Sequence, residues 1–413
     1  MSATLGLGAA RAVDVARYAI AGRRPRVALR PAAAGEVAEA LRAAGRDGLA
    51  VLPWGGGTAL ALGQPPARYD VALDLTAFNR VVEYEPEDFT VTAECGVTLA
   101  TLRATLAARG QELPLEGARA EAATLGGVLA ANASGPRRLR FGAPHDRILG
   151  GYFALADGTL ARSGGKVVKN VAGYALHRLL CGSRGGLGVL LEASLKLAPG
   201  PAARLALLYG ATAAEIADPA RWARFPRLEP AALTVVGGEL ARTLHVATPA
   251  PAPFLVILGF EAEPAWAERQ AAIACEALGE PAARLAGADV PAMWQSLADL
   301  GDLPPPRLTF ATAGNTPAAL APLLETPQAE GLLFHAPAGR LHLYLDPRAA
   351  QARVDALADR GFALIESRGA GEIEPPIARQ AGVLALRRRI RAALDPADRF
   401  ALGARWEHGA ARG

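Results

Sequence analysis

Glycine-rich stretches at predicted strand ends are the feature that most limits what this chain can fold into. Residues 53–60 hold three consecutive glycines directly after the apolar run 49–52. Further stretches lie at 124–135, 164–173 and 182–188, all in the first half of the chain. Glycine at so many strand ends weakens a sheet unless something lies against the backbone. We therefore expect the first half to hold a ligand against its main chain.

The glycine turn, residues 53–60, has the composition of a phosphate-binding nest. Without Cβ atoms, successive backbone N–H groups can converge on one anion, and Thr58 offers a hydroxyl donor. The turn is not GxGxxG and no lysine follows it, so it fits neither the Rossmann fingerprint nor a P-loop. An ordinary tight turn is the alternative.

The stretch 124–135 predicts a surface for a flat or extended ligand. Small residues dominate it, so the backbone can approach such a ligand closely. Asn132 and Ser134 add side-chain hydrogen-bonding groups.

Charge and composition argue against nucleic-acid binding. The 413 residues carry a net charge of +4, almost all from arginine, and the arginines are spread along the chain. Aromatic residues are only 6%, whereas a nucleic-acid surface would need a basic stripe with interleaved aromatics. Compositional bias explains most of the arginine. The one dense cluster, around 387–391, predicts a solvated helix face, or else a face for an acidic partner or a phosphate.

The cysteines predict that this chain carries no redox cluster of its own. Cys95, Cys181 and Cys275 are far apart and form no CxxC pair, which argues against disulfides, a zinc ribbon or iron–sulfur ligands. No apolar run is long enough to span a membrane, and the N-terminus does not read as a signal peptide. We expect a cytoplasmic protein, peripheral at the inner face of the cell membrane at most, through partners.

Hydrophobic periodicity predicts an α+β chain with a boundary near Pro199-Gly200-Pro201. Asp157-Gly158 predicts a tight hairpin between 152–155 and 159–163. The second half alternates strands and helices in a way that favours an antiparallel sheet. Strands are predicted at 26–29, 49–52, 70–75, 81–84, 89–93, 185–197, 255–260, 340–345 and 363–366. Helices are predicted at 36–44, 99–109, 266–278, 351–360 and 383–394.

The order of the motifs resembles a known family. Along the chain they read PWGGGT, TLGG, NASG, RFGAPHD, KNVAGY and GSRGGLGVL. Together they resemble the flavoproteins with a PCMH-type FAD-binding domain, the superfamily of vanillyl-alcohol-oxidase-like and 2-hydroxyacid-dehydrogenase-like enzymes. Within it, SGPRR and KNVAGYALHRLLCGSRGGLGVL are most similar to the FAD-binding E-subunit family of bacterial glycolate oxidases. The motifs cover about residues 25–200.

The resemblance implies a fold and a cofactor. It implies a PCMH-type two-subdomain FAD-binding domain at 1–200 and an α+β cap domain with an antiparallel sheet at 201–380. A C-terminal helix and tail at 381–413 would pack back toward the FAD domain. Covalent members attach flavin through a histidine in the glycine turn, and this turn has none, so noncovalent FAD is implied.

By position, the resemblance implies a set of cofactor-binding residues. The glycine turn would hold the pyrophosphate, and Pro114 with 123–127 would line the flavin side. Contacts to the ribityl and isoalloxazine region would come from Ala130, Asn132, Ser134 and Gly135. Gly142 and Asp146 would shape the loop beneath it, and Gly188 and Val189 would approach the adenine. The set is Pro53, Trp54, Gly55, Gly56, Gly57, Thr58, Ala59, Leu60, Pro114, Ala123, Thr124, Gly126, Gly127, Ala130, Asn132, Ser134, Gly135, Gly142, Asp146, Gly188 and Val189.

Three residues of the second half are catalytic candidates. His335 and His342 keep the spacing of a histidine pair in catalytic relatives, and a turn at Ala338-Gly339 would bring both imidazoles to one site. A carboxylate would complete a metal site. However, no histidine follows Glu366 where relatives read EHG, so we expect no metal, and two ordinary strand histidines are the alternative. Arg307 is the candidate anchor for a substrate carboxylate, with a surface arginine as its alternative.

Three functions follow from these observations. The first is an FAD-binding subunit of a glycolate (2-hydroxyacid) oxidase complex, with a sister flavin subunit and an iron–sulfur subunit as partners. The second is a self-sufficient FAD-dependent dehydrogenase of a small 2-hydroxyacid. The third is a flavin-free assembly subunit that keeps only the fold.

Overall fold

The computed structural model describes residues 11–20, 22–60, 65–166, 173–223, 225–244, 252–300, 307–312, 316–324, 331–336, 338–368 and 381–401. Most of the KNVAGY motif and the residues after 401 lie outside these ranges. No helix within them is both long enough and apolar enough to cross a membrane.

The chain forms two compact units. The first comprises Met1–Ala133, Ala143–Gly200 and Ala378–Gly413, and the second comprises Ser134–Gly142 and Pro201–Ile377. The short segment Ser134–Gly142 therefore groups with the second unit, although both of its flanks belong to the first. The domain boundaries expected from the sequence placed this segment in the first domain. Those boundaries stay a prediction.

Strands and helices are numbered along the chain. The strands are β1 (Arg11–Val13), β2 (Val27–Arg30), β3 (Val51–Trp54), β4 (Val71–Asp74), β5 (Val81–Glu85), β6 (Thr90–Glu94), β7 (Gln111–Glu112), β8 (Ile148–Ala154), β9 (Leu160–Gly164), β10 (Val189–Lys196), β11 (Ala198–Pro199), β12 (Ala203–Ala211), β13 (Ala232–Gly238), β14 (Phe254–Ala262), β15 (Ala283–Ala286), β16 (Arg307–Ala311), β17 (Gly331–His335), β18 (Arg340–Tyr344) and β19 (Ala363–Arg368). The helices are α1 (Ala34–Arg46), α2 (Leu99–Ala107), α3 (Leu125–Ala131), α4 (Arg138–Phe141), α5 (Pro144–Arg147), α6 (Leu176–Leu180), α7 (Ala213–Ala217), α8 (Glu239–Thr243), α9 (Pro264–Leu278), α10 (Asp289–Leu300), α11 (Ala321–Leu324), α12 (Ala350–Ala358) and α13 (Ala381–Leu394).

Two sheets build most of the first unit. A four-stranded sheet has the order β1-β2-β4-β3, in which β2, β4 and β3 run parallel and β1 antiparallel. Helix α1 covers it with an apolar face that includes Val37 and Leu41. An antiparallel five-stranded sheet has the order β5-β6-β10-β8-β9 and packs on α2 and α3 around Leu102, Leu129 and Phe153.

The predicted Asp-Gly turn joins β8 to β9. Gly158 has φ +80°, a left-handed conformation that suits glycine, and the Asp157 carboxylate accepts the Thr159 N–H at 2.8 Å. The hairpin expected from the sequence is therefore confirmed.

The second unit is built on one eight-stranded sheet of order β15-β12-β14-β13-β17-β18-β16-β19. Every pairing in it is antiparallel. One face carries a core that includes Phe260, Phe310 and Phe334 under α9 and α12, and the other packs on α10 through Met293 and Trp294. This confirms the expected α+β architecture with an antiparallel sheet.

Candidate functional site

A cleft in the first unit collects most of the glycine motifs. The space between its walls, including the open solvent at its mouth, is about 810 Å³. We call it the glycine cleft. Its lining consists of Pro53, Trp54, Gly55, Gly56, Gly57, Thr58, Ala59, Leu60, Leu75, Cys95, Thr124, Gly126, Gly127, Ala130, Ala131, Ser183, Arg184, Gly185, Gly188 and Leu190.

The glycine turn is pressed against the loop before α3. A Cβ atom at Gly56 would lie 1.7 Å from the carbonyl oxygen of Ala122, and one at Gly55 would lie 2.2 Å from the Thr124 hydroxyl. Gly57 has φ +75°. Only glycine fits these positions, so the chain can leave β3 with its bare backbone along the cleft.

A buried polar network supports the turn from behind. The Trp54 ring meets the Tyr18 ring edge-on, with centroids 5.0 Å apart. The Tyr18 hydroxyl donates to Asp74, which also accepts from Arg30 Nε at 2.9 Å and from the Thr76 hydroxyl at 2.6 Å. Burial alone would raise the pKa of Asp74, but these hydrogen bonds outweigh it and lower the pKa. The carboxylate stays ionised and fixes the base of the cleft.

Helix α3 forms another wall of the cleft. The Thr124 hydroxyl accepts the Gly127 N–H at 3.3 Å and caps the start of the helix, which ends at Asn132 with φ +49°. The Asn132 Oδ1 atom accepts the His145 N–H at 3.2 Å. This asparagine therefore ties the end of α3 to α5.

Thirteen of the residues implied by the resemblance line the cleft together. They are Pro53, Trp54, Gly55, Gly56, Gly57, Thr58, Ala59, Leu60, Thr124, Gly126, Gly127, Ala130 and Gly188. The others lie elsewhere, and their cofactor contacts stay predictions: Pro114, Ala123, Asn132, Asp146 and Val189 in the first unit, and Ser134, Gly135 and Gly142 in the second.

Sequence reasoning missed seven lining residues: Leu75, Cys95, Ala131, Ser183, Arg184, Gly185 and Leu190. The motif GSRGGLG contained the signal for Ser183, Arg184 and Gly185, since it is one of the glycine stretches. Cys95 read only as a small core residue. Cys95 is 2% exposed, and a Cβ atom added at Gly126 would lie 2.9 Å from the Cβ atom of Cys95. No local sequence pattern shows that Cys95 packs against Gly126.

The second unit brings the three catalytic candidates onto neighbouring strands. His335 on β17 and His342 on β18 face each other with ring centroids 5.9 Å apart. Their connecting turn closes at Gly339, where φ is +59°. The Nδ1 atom of His335 is hydrogen-bonded to Thr234 and that of His342 to Thr309, both at 2.9 Å.

Burial keeps both imidazoles neutral. It lowers the pKa of His335 to about 3. The pKa of His342 is also lowered well below its usual value, first by burial and then by nearby cations, chiefly Arg307. Arg307 is 5% exposed, so the surface-arginine alternative is wrong. In the described part of the chain, no group of three or more histidine, cysteine, aspartate or glutamate side chains is placed to hold a metal ion.

Comparison with known proteins identifies the class of the first unit's domain. Residues 25–164 match the family model described as an FAD binding domain. The cofactor indicated is FAD. The glycine cleft fits this cofactor, because a bare backbone turn suits phosphates and an apolar floor suits flavin and adenine rings.

The curated relatives are oxidase subunits and dehydrogenases by name. Glycolate oxidase subunit GlcE of Escherichia coli K12 is 44% identical over 136 residues, 33% of this chain and 39% of the relative. Glycolate oxidase subunit GlcD of Bacillus subtilis 168 is 34% identical over 185 residues, 45% of this chain and 39% of the relative. D-2-hydroxyglutarate dehydrogenase of Xanthomonas citri is 31% identical over 179 residues, 43% of this chain and 38% of the relative. The chain thus spans less than half the length of these relatives.

Solved structures show the same fold over nearly the whole chain. A substrate-bound p-cresol methylhydroxylase matches with a TM-score of 0.71 at 15% identity, covering 92% of this chain and 89% of that chain. An alkyldihydroxyacetonephosphate synthase matches with a TM-score of 0.68 at 17% identity, covering 92% and 77%. The expected PCMH-type fold is confirmed.

Proposed function

We propose that this chain is the FAD-binding subunit of a glycolate (2-hydroxyacid) oxidase complex. It would pass electrons from oxidation of the hydroxyacid toward an iron–sulfur subunit. The observation that carries the proposal is the glycine cleft, which lies in the unit that contains the FAD-binding domain. Similarity to two glycolate oxidase subunits supports the substrate class and the presence of a sister flavin subunit.

The proposed roles divide along the cleft. The backbone of 55–58 would bind the diphosphate of noncovalent FAD, and the small residues of α3 would lie against the flavin. Bound FAD would relay electrons that the sister flavin subunit takes from the hydroxyacid. The cysteines at 95, 181 and 275 are far apart in sequence, so we place the iron–sulfur carrier in a partner. The complex would work in the cytoplasm or at the inner face of the membrane.

A self-sufficient dehydrogenase is the second candidate. It is favoured by the clustering of His335, His342 and Arg307, which offers imidazole nitrogens beside a guanidinium that could hold a carboxylate. The pKa of His335, about 3, argues against it, because such an imidazole is a weak proton acceptor at neutral pH. We therefore place the main chemistry in the sister subunit.

The visible spectrum and anaerobic reduction test these proposals. The purified chain should show flavin bands near about 370 and 450 nm, and glycolate should bleach them only when the partner subunits are present. Bleaching in the isolated chain would support the self-sufficient dehydrogenase. A colourless chain that also fails to bind added FAD would leave only the flavin-free assembly role.

A further inference from the structure

One side chain gives the glycine cleft its charge. Among the lining residues of the described chain, Arg184 is the single one with an ionisable acidic or basic group apart from the Cys95 thiol. Burial raises the pKa of that thiol, so it stays neutral. The full positive charge at the cleft wall is therefore that of Arg184.

The backbone around Arg184 is held in an unusual conformation. Its φ is +56°, a left-handed geometry that few residues other than glycine adopt. The Arg184 N–H donates to the carbonyl oxygen of Ala130 at 2.8 Å, and the Gly182 N–H donates to that of Leu129 at 3.0 Å. Both acceptors lie in the last turn of α3, so the loop 182–186 caps that helix and is fixed by it.

The same loop reaches the glycine turn. A Cβ atom at Gly185 would lie 3.4 Å from Cγ of Pro53, in ordinary contact. Arg184 therefore belongs to a fixed loop that touches both α3 and the first residue of the glycine turn. Residues held in such conformations cluster at active sites and ligand-binding loops.

We propose that Arg184 is the counter-charge of the FAD diphosphate and makes the cleft prefer the dinucleotide over uncharged flavin. This inference rests on the proposed FAD-binding role. A diphosphate brings negative charges that backbone N–H groups offset only partly. A guanidinium supplies a full charge and paired donors, and charge-assisted bonds of this type are about twice as strong as neutral ones.

Binding of FAD and riboflavin to the purified full-length apoprotein tests the inference. Arg184→Ala should weaken FAD binding by about 10- to 100-fold, whereas Arg184→Lys should recover part of that loss. Riboflavin carries no phosphate, so its affinity should stay within about twofold. Added salt should weaken FAD binding less steeply in Arg184→Ala than in the wild type, because one ion pair is gone.

Arg178→Ala is the matched control, since Arg178 is an exposed arginine of α6 outside the cleft lining. It should leave both affinities unchanged. The inference is overturned if Arg184→Ala binds FAD as the wild type does, or loses FAD and riboflavin affinity equally. A wild-type chain that binds no FAD would contradict the proposed function itself.

Discussion

Gly56 is the position in the glycine cleft where an added side chain would clash most severely. A Cβ there would overlap the backbone oxygen of Ala122, so Gly56→Ala has to displace either the turn or the loop before α3. We expect FAD affinity to fall by about 100-fold or more. Fluorescence titration of the apoprotein with FAD measures this directly.

The control for this substitution is Gly45→Ala in α1. No atom lies within 4 Å of a Cβ at Gly45, so this alanine should fit and stabilise the helix by about 0.5–1 kcal/mol. Unchanged FAD affinity in Gly56→Ala would refute the role of a bare backbone at this turn.

His335 should make the stability of the protein sensitive to acid. Its folded pKa of about 3 lies below the unfolded value near 6.5, so below about pH 6.5 the unfolded chain binds a proton that the folded chain does not. The free energy of unfolding should therefore fall as pH decreases, by about 1.4 kcal/mol per pH unit for this group. Urea unfolding measures this free energy at each pH. Between about pH 7 and 4.5, the His335→Gln variant should lose about 2 kcal/mol less unfolding free energy than the wild type.

Thr234→Val is the companion variant for His335. It removes the hydroxyl bonded to Nδ1 but keeps the titrating ring. It should lower stability at every pH and retain the acid dependence. An identical pH profile in His335→Gln and the wild type would show that His335 is not the group responsible.

Local signals at single residues predicted the turns well and the long-range partners poorly. Asp157-Gly158 and Gly339 are turns because their own chemistry favours them, so the sequence suffices there. Tyr18 is different. Tyr18 supports the glycine turn through its contacts with Trp54 and Asp74, which lie 36 and 56 residues further along the chain. No periodicity in the sequence links these three positions.

Among the elements, the segment Ser134–Gly142 depends on one buried carboxylate. Glu261 on β14 accepts from Arg137 at 3.2 Å, and its backbone oxygen accepts from Arg140. The Glu261 side chain also accepts the Trp294 indole N–H from α10 at 2.9 Å. Glu261 therefore holds the segment within the second unit, with donors from the segment itself and from α10.

Glu261→Gln should loosen the segment. The Glu261 and Arg137 side chains are 1% and 9% exposed, so Glu261→Gln replaces a buried ion pair with a weaker neutral contact. We expect the second unit to lose about 3 kcal/mol of unfolding free energy. Hydrogen exchange should rise across 134–142, and urea unfolding measures the energy.

Glu268→Gln is the control for charge removal alone. Glu268 pairs with Arg284 at the surface, where both side chains are about half exposed. Such pairs contribute under about 1 kcal/mol. Equal losses in the two variants would mean that burial of the Glu261 pair has no special weight.

Elements with clear periodicity were predictable, whereas strands buried on both faces of the sheet were predicted only in part. Helix α1 has one apolar and one polar face, and the predicted helical range 36–44 lies within the observed helix Ala34–Arg46. Strand β13 was missed because its residues are buried on both sides of the sheet. A short continuous apolar run of that kind does not distinguish strand from helix.

For the whole molecule, the division into two units predicts how FAD acts on stability. The glycine cleft belongs to the first unit, so FAD at 100 times its Kd should stabilise that unit by about 2.7 kcal/mol. Calorimetry with and without FAD should show one transition move to a higher Tm. A thermogram that FAD leaves unchanged would contradict placement of the cofactor in this cleft.

The first unit is also closed by residues from the far end of the chain. The Val51 N–H donates to the carbonyl oxygen of Arg399 at 2.7 Å, and the Ala401 N–H donates back to that of Val51 at 2.8 Å. Strand β3, which carries the glycine turn, therefore gains its outer neighbour from residues some 350 positions later. On the ribosome, the edge of β3 stays open while the entire second unit is being synthesised. A chain truncated before residue 399 would lack both hydrogen bonds and would leave this edge of β3 exposed to chaperones and proteases.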